Sequence, residues 1–201
     1  MSRKTLDERA KTRKAARTAA YLGGASVRER FGVPFAAVRT RVTEGYGVAV
    51  VRALIQADYL GDLNGAEIRI GSWLDAQDSL FMLLHLFGHT VQWNTQGIQE
   101  FDLPVGKVPE ATKEAVTAYE REACRYSMAL LLETGFEDLG PWLSDFSAAD
   151  LRYLHHVYET GERRGGGAED FWRVGEPLVA PLAIPSFTPR TLKWRWDGIV
   201  V

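Results

Sequence analysis

The sequence has little cysteine and no long apolar run. Its one cysteine, Cys124, excludes an internal disulfide framework and a cysteine-based zinc finger. No apolar run reaches the roughly 18 residues that a membrane-spanning helix needs. The N-terminal residues also lack the apolar core of a secretory signal. These absences predict a cytoplasmic protein that does not span a membrane.

The net charge is small but unevenly distributed along the chain. The 201 residues carry a formal charge of −2, with 46% apolar and 25% charged side chains, which is typical of a globular protein. Residues 1–20 nevertheless hold seven basic and two acidic side chains. This segment is either a basic arm for nucleic acid or the solvated face of a first helix. Because no aromatic side chain precedes Tyr21, bases would have no stacking platform. We therefore favour the helix and expect no nucleic-acid ligand.

Local patterns predict a helix-rich α+β fold with a small sheet near the middle of the chain. Gly23 and Gly24 should end a first helix, and Gly32 and Pro34 should divide the next helical stretch into two short helices. Residues 48–60 follow a glycine and are rich in β-branched side chains, which favours one strand or a pair of strands.

A hairpin should follow, leading into the helix that carries the candidate site. Asn64–Gly65 is a typical turn sequence, and Ile68 and Ile70 then alternate with charged residues as in a half-buried strand. Ser72 and Asp75 resemble a capping box. The helix that they should begin is apolar nearly all round, which predicts that it is buried.

Two further helices and an irregular tail complete the predicted fold. A long helix should occupy residues 110–132, and a last helix should begin at a capping box of Ser147 and Asp150. Glycines at 165–167 and four prolines beyond them argue against a long helix in the tail. We divide the chain into an N-terminal helical region (1–44), a core domain (45–160) and a C-terminal segment that ends in a strand and packs on the core (161–201).

The C-terminal segment contains three tryptophans, Trp172, Trp194 and Trp196. Tryptophan is enriched at binding hot spots, so these side chains could form a partner-binding surface. They could instead cover the core of the main domain, and this is the interpretation that we favour.

Two histidines stand four residues apart in the predicted buried helix. Residues at this spacing project from one helical face, so His85 and His89 can converge on one ion. Neutral imidazole is a good zinc ligand, and catalytic zinc sites commonly combine three protein ligands with water. Gly88 leaves room for another element beside His89. The pair alone is also compatible with two histidines held by hydrogen bonds.

The candidate third ligand is Glu120 in the long helix. It shares a stripe with small and apolar residues, namely Ala123, Cys124, Ser127 and Leu131. It should therefore face inward. A buried carboxylate is costly unless it is paired or bound to a metal, so Glu120 should either join the two histidines or pair with an arginine. Glu122 faces a different side. His155 and His156 are adjacent and should be ordinary surface or core residues.

Three successive segments carry a family resemblance: "NGAEIRI", "DSLFMLLHLFGHTVQW" and "YEREACRYSMALLLETG". They resemble the ImmA/IrrE-like metallopeptidases, a family of gluzincins, over roughly residues 45–135. His85, Gly88 and His89 match the motif H-E-x-G-H. The second motif, E-x-E-A-N-x-F-A, is matched at Glu120, Glu122 and Ala123. Tyr126 stands for the family's Phe, Cys124 for its Asn and Ser127 for its final Ala.

The resemblance implies a zincin-like fold and a zinc ion held by His85, His89 and Glu120. It also implies a cytoplasmic peptidase that cleaves helix-turn-helix repressors. Leu86 departs from the motif, because the family has a glutamate there that takes a proton from water at the zinc and returns it to the leaving amine. General acid–base catalysis is worth about 10²–10⁴-fold in rate. The replacement therefore predicts a weak or inactive peptidase.

Three functions remain open on these residues. The favoured one is a degenerate metallopeptidase that keeps zinc and acts by binding a peptide or protein partner, such as a helix-turn-helix repressor. The second is an active zinc endopeptidase with a relocated general base, for which Glu100, Asp102 and Glu122 are candidates. The third is a metal-free interaction domain, in which the two histidines and Glu120 form a buried hydrogen-bonded network.

Overall fold

The computed structural model describes residues 3–55, 59–99, 101, 108–162 and 167–192. Within them, five α-helices and a three-stranded sheet form a helix-rich α+β fold, which confirms the predicted fold class. The helices are α1 (Arg3–Leu22), α2 (Val33–Thr40), α3 (Ala76–Thr95), α4 (Glu110–Glu133) and α5 (Gly140–Thr160), and the strands are β1 (Ala49–Ala53), β2 (Gly61–Leu63) and β3 (Glu67–Gly71). None of these helices combines the length and apolar character needed to cross a membrane.

The sheet has the order β1-β3-β2, with β3 in the centre. β1 runs parallel to β3, and β2 runs antiparallel to it. The predicted turn at Asn64–Gly65 joins β2 to β3 and is confirmed. The Asn64 side-chain oxygen accepts hydrogen bonds from the backbone N–H groups of Ala66 and Glu67, at 3.0 and 2.8 Å. Gly65 has a φ of 89°, a left-handed conformation that glycine adopts without steric cost.

The buried helix α3 begins differently from the prediction. Its N-cap is Asp75, whose carboxylate accepts a hydrogen bond from the backbone N–H of Asp78 at 3.0 Å. The predicted capping box that starts at Ser72 is therefore wrong by three residues. An aspartate at the N-cap satisfies one of the free N–H groups of the first turn, and this local bond outweighs the weaker similarity at Ser72.

The predicted break at Gly32 and Pro34 is also wrong. The helical path continues through a π-helical turn at Arg28–Gly32, then α2, then a second π-helical turn at Arg41–Gly45. Pro34 lies in the first turn of α2, where the missing N–H of proline costs least. Phe31, Val38 and Val42 along this path are fully buried, so tertiary packing stabilises these three consecutive helical segments.

The last helix, α5, begins at Gly140 rather than at the predicted capping box of Ser147 and Asp150. Pro141 lies in its first turn, where proline is tolerated, and the fully buried Trp142 fixes this turn to the core. Ser147 and Asp150 are consequently interior helix positions that face inward. The predicted long helix at 110–132 and the absence of a long helix in residues 171–192 are confirmed.

One hydrophobic core draws on all three regions into which the sequence was divided. It combines Phe31 from the N-terminal region, Ile68 and Leu83 from the central region and Ala168 from the C-terminal segment. The proposed boundaries stay a prediction, but side chains on both sides of each boundary share the same packing.

The N-terminal helix α1 is attached by charged and aromatic contacts. Lys14 forms ion pairs with Asp75 and Asp78 at the start of α3, and Arg17 pairs with Glu169. The Arg17 guanidinium also lies over the ring of Trp172, 4.1 Å from its centroid. Lys14 and Arg17 of the basic segment therefore form ion pairs within the protein. Trp172 packs against the core, as favoured above, whereas Trp194 and Trp196 lie outside the described residues.

The close contact between α3 and α4 depends on Gly88. A Cβ atom at this position would lie 2.3 Å from the carbonyl oxygen of Ala123 and 2.9 Å from its Cα. Across the same contact, the Ser127 hydroxyl donates a hydrogen bond to the Leu84 carbonyl oxygen at 2.8 Å. The absence of a side chain at Gly88 therefore sets the distance between the two helices.

We expect Gly88→Ala to lower the free energy of unfolding by about 1–3 kcal/mol, as overpacked cores do. Urea denaturation monitored by circular dichroism would measure this change. Gly140→Ala is the matched control, because its Cβ would meet Met128 only at 3.8 Å. Alanine should be neutral or slightly stabilising there. Equal stability of the two variants would contradict the assigned role of Gly88.

Candidate metal centre

The two histidines of α3 meet at one point in the interior. The Nε2 atoms of His85 and His89 are 3.1 Å apart. Both side chains are buried, with 2% and 4% of their surface exposed. Their four-residue spacing places them on one face of the helix, as the sequence predicted.

Helix α4 brings Glu120 to the same point. One carboxylate oxygen of Glu120, Oε2, lies 3.5 Å from His85 Nε2 and 3.3 Å from His89 Nε2. Glu120 is 3% exposed, which confirms that its stripe faces inward. Among the described residues, these three form the one group of ligand-type side chains whose candidate atoms all lie within 4.8 Å of one another. The group could hold a metal ion.

A hydrogen-bonded glutamine fixes the protonation pattern of His89. The Gln92 side-chain nitrogen donates to the Tyr119 carbonyl oxygen and to Glu122, each at 2.8 Å. Its oxygen therefore faces His89 Nδ1, at 2.9 Å, and must accept a hydrogen bond from it. The proton of His89 consequently sits on Nδ1. The lone pair of Nε2 points at the cluster, as metal binding requires.

Burial and the neighbouring imidazole keep His85 neutral. Removal from water, and then the proximity of His89, lower the pKa of His85 to about 4, against the opposing effect of Glu120. His85 is therefore uncharged at neutral pH, and one of its two ring nitrogens carries a lone pair. Its Nδ1 atom and the second oxygen of Glu120 are buried without a hydrogen-bond partner among the described residues.

Leu86, which stands where the motif H-E-x-G-H has glutamate, faces the sheet. Its side chain is fully buried, and its Cδ1 would lie 2.7 Å from a Cβ atom built at Gly61 of β2. Of the candidate substitute bases, Glu122 is already engaged as the acceptor of Gln92 and Gln96. Glu100 and Asp102 lie outside the described residues.

A cavity of about 540 Å³ reaches the cluster from the side of α5. His85 and Glu120 contribute to its lining, and Asp150 of α5 lies in it. Asp150 is 8% exposed, and no hydrogen bond or ion pair engages its carboxyl group in the described part of the chain. Burial, and then the charge of Glu120, raise the pKa of Asp150 well above its ordinary value.

The sequence analysis missed Asp150 because it assigned this residue to a helix cap. A signal was nevertheless present. Ser147, Asp150, Leu154 and Tyr158 follow one another at three- and four-residue spacings, and all four are buried in α5. The same pattern had identified Glu120. His155 and His156, by contrast, take no part in the cluster, and His155 contacts the Thr117 hydroxyl at 2.7 Å.

Comparisons with protein-family models, with curated protein sequences and with solved structures gave no match to this chain. The site is therefore described from its own geometry.

We expect Asp150→Asn to stabilise the metal-free protein increasingly as the pH rises. Above the ordinary aspartate pKa of 3.8 the unfolded chain releases this proton, whereas the folded chain keeps it. Wild-type stability should therefore fall with rising pH until the raised pKa is passed. Asparagine has no proton to release and removes this loss. Urea titrations from about pH 5 to about pH 8 would measure the difference.

The control is Glu122→Gln, which changes a carboxylate that already accepts two side-chain hydrogen bonds. It should show no gain of this kind. A constant stability difference between Asp150→Asn and wild type across the range would contradict a proton held by Asp150.

Proposed function

We propose that this protein is a zinc-binding, zincin-like protein related to the ImmA/IrrE-like metallopeptidases, with His85, His89 and Glu120 as the ligands. It has lost most or all peptidase activity and acts by binding a peptide or protein partner. The observation that carries this proposal is the shape of the three-residue cluster. Its three ligand atoms are separated by 3.1, 3.3 and 3.5 Å.

These separations suit a tetrahedral zinc ion. Zinc lies about 2.0–2.2 Å from imidazole nitrogen and carboxylate oxygen, so neighbouring ligand atoms of a tetrahedron are about 3.3 Å apart. Two neutral imidazoles and one carboxylate are also a common donor set of catalytic zinc sites. Three protein ligands leave the fourth position for another molecule.

The buried charge of Glu120 favours a bound cation over a metal-free network. Such a network is stable only if its members are satisfied, and it is incomplete here because His85 Nδ1 and Glu120 Oε1 have no partner among the described residues. Leaving a buried polar group unpaired costs about 1–3 kcal/mol. A divalent cation would offset the buried negative charge of Glu120.

Leu86 supports the loss of peptidase chemistry. Its side chain has no group that takes up a proton, and its burial against β2 leaves no space there for water. Zinc, when bound, would lower the pKa of an attacking water to roughly 7. Without a proton acceptor the remaining hydrolysis should be slower by about 10²–10⁴-fold. Binding of a partner, such as a helix-turn-helix repressor, is then the function that the site retains.

We expect wild-type protein purified without a metal-affinity tag to contain close to one zinc per chain. His85→Ala and Glu120→Ala should each lose it, because two remaining ligands hold the ion poorly. Mass spectrometry of the metal content would measure this. His156→Ala, on α5 and outside the cluster, is the control and should keep the zinc. Full zinc content in His85→Ala would contradict the assigned ligands.

A second candidate function is an active hydrolase, and Asp150 is the observation that favours it. This carboxyl group lies in the cavity that reaches the cluster, and it is free of hydrogen bonds and ion pairs within the described residues. Without metal this group keeps its proton, but a bound cation beside Glu120 would favour its ionised form. Ionised Asp150 would accept the proton of an attacking water and return it to the leaving amine. It would thereby replace the missing glutamate from another helix.

The test of this second function is cleavage of an unstructured protein, such as casein, by the zinc-loaded enzyme. If Asp150 is the base, cleavage should stop on addition of a chelator and fall by about 10²–10⁴-fold in Asp150→Asn, with the zinc content unchanged. Glu137→Gln, at an exposed position that does not line the cavity, should retain the activity. Absence of chelator-sensitive cleavage in wild type would reject the hydrolase and favour the binding protein.

A further inference from the structure

The cavity beside the candidate metal centre is walled by helices and by the C-terminal segment. Its lining residues come from α3, α4, α5 and residues 176–180, and none of them belongs to the sheet. At about 540 Å³ it has the size of a typical small-ligand pocket. Within the described part of the chain, this cavity opens between α4 and α5, and a ligand of the metal centre would approach there.

The C-terminal wall is fixed by hydrogen bonds to the helices. The backbone N–H groups of Gly175 and Glu176 donate to the Asp145 carboxylate, at 3.2 and 2.7 Å. The N–H of Leu182 donates to the Arg125 carbonyl oxygen at 3.2 Å. The pocket is consequently formed before a ligand arrives, which lowers the entropic cost of binding.

Three arginines line the cavity together with the carboxyl groups of Glu120, Asp150 and Glu176, so its formal charges balance until a cation is bound. Arg152 forms an ion pair with Glu176, so the two cancel. Arg125 uses its Nε–H to bond the Ala180 carbonyl oxygen at 3.2 Å and keeps its charge. Arg121 has neither a hydrogen bond nor an ion pair in the described part of the chain, and it lines the same cavity. A bound divalent cation would add further positive charge at the inner end.

The remaining lining is largely apolar. Ala148 and Leu151 of α5 face Pro177, Val179 and Ala180 of the C-terminal segment. These side chains suit a short aliphatic group and offer it few hydrogen bonds. A bound cation, Arg121 and these walls together describe a ligand with one anionic end and a small apolar body.

We propose that this cavity binds a ligand that ends in a carboxylate, held by the metal and by Arg121, with an aliphatic side chain against residues 177–180. The inference depends on the proposed metal centre. Arginine recognises carboxylates through two parallel hydrogen bonds, and its guanidinium stays charged at all physiological pH values. The C-terminus of a peptide and a small acyl amino acid share this chemistry.

The experiment is calorimetric titration of the zinc-loaded protein with N-acetyl-leucine, with its amide and with acetyl-trialanyl-leucine. Zinc content is measured on every sample. We expect the two acids to bind at least about tenfold more tightly than the amide, because the amide has no charge for Arg121 or the metal. Tighter binding of the longer acid would identify a peptide C-terminus. Equal binding of the two acids would identify a small carboxylate.

Three variants separate the contributions. Arg121→Gln should lower the affinity for the acids by about fivefold to tenfold and leave the amide unaffected. Arg39→Gln, an exposed arginine of α2, is the matched control and should change neither. Ala148→Trp should fill the cavity and abolish binding of both acids while the zinc content stays at wild-type level.

The outcomes distinguish the two proposals. A protein that binds no zinc overturns the proposed function, and with it the metal-held carboxylate. A protein that keeps its zinc but binds acid and amide equally, or binds the acids unchanged in Arg121→Gln, overturns only the carboxylate site. Unchanged binding in a zinc-loaded Ala148→Trp protein would show that the ligand approaches by another route.

Discussion

The contact between the backbones of α3 and α4 is the constraint on which the candidate site depends. Gly88 has no side chain, so the Ala123 carbonyl can lie where a Cβ atom would otherwise stand. Glu120 precedes Ala123 by almost one helical turn, and this places its carboxylate against the two histidines. A side chain at position 88 would collide with the backbone of α4 and push Glu120 away from the histidines. The ligand cluster is thus a consequence of a missing side chain.

The same contact concentrates ionisable groups where water is scarce. His85, His89, Glu120 and Asp150 are all buried, and each of their charged forms is costly there. The protein meets this cost by keeping His85 neutral, as its lowered pKa shows, and by holding the proton of Asp150. Both shifts move the site toward electrical neutrality. What remains is the charge of Glu120, which a cation between the three ligand atoms would balance.

Helical periodicity in the sequence predicted that His85, His89 and Glu120 lie together, but it was not used to place Asp150. The four-residue spacing of the histidines, the inward stripe of Glu120 and the role of Gly88 are properties of single helices, and each was confirmed. Asp150 was assigned to a helix cap because the capping pattern depends only on nearby residues. Its real environment is set by the packing of α5 on α4. The start of α5 and the path through Pro34 were missed for the same reason, since buried aromatic side chains outweigh local breakers there.

Leu86 replaces a carboxylate that could act as a general base, and it also fills the side of the candidate site that faces the sheet. Its side chain has no group that accepts a proton, and it packs against Gly61, which closes this side with apolar contact. The open space lies on the other side, where α5 and the C-terminal segment surround the cavity. Because α5 and the C-terminal segment lie outside the region of family resemblance, the family motifs do not describe this wall of the cavity.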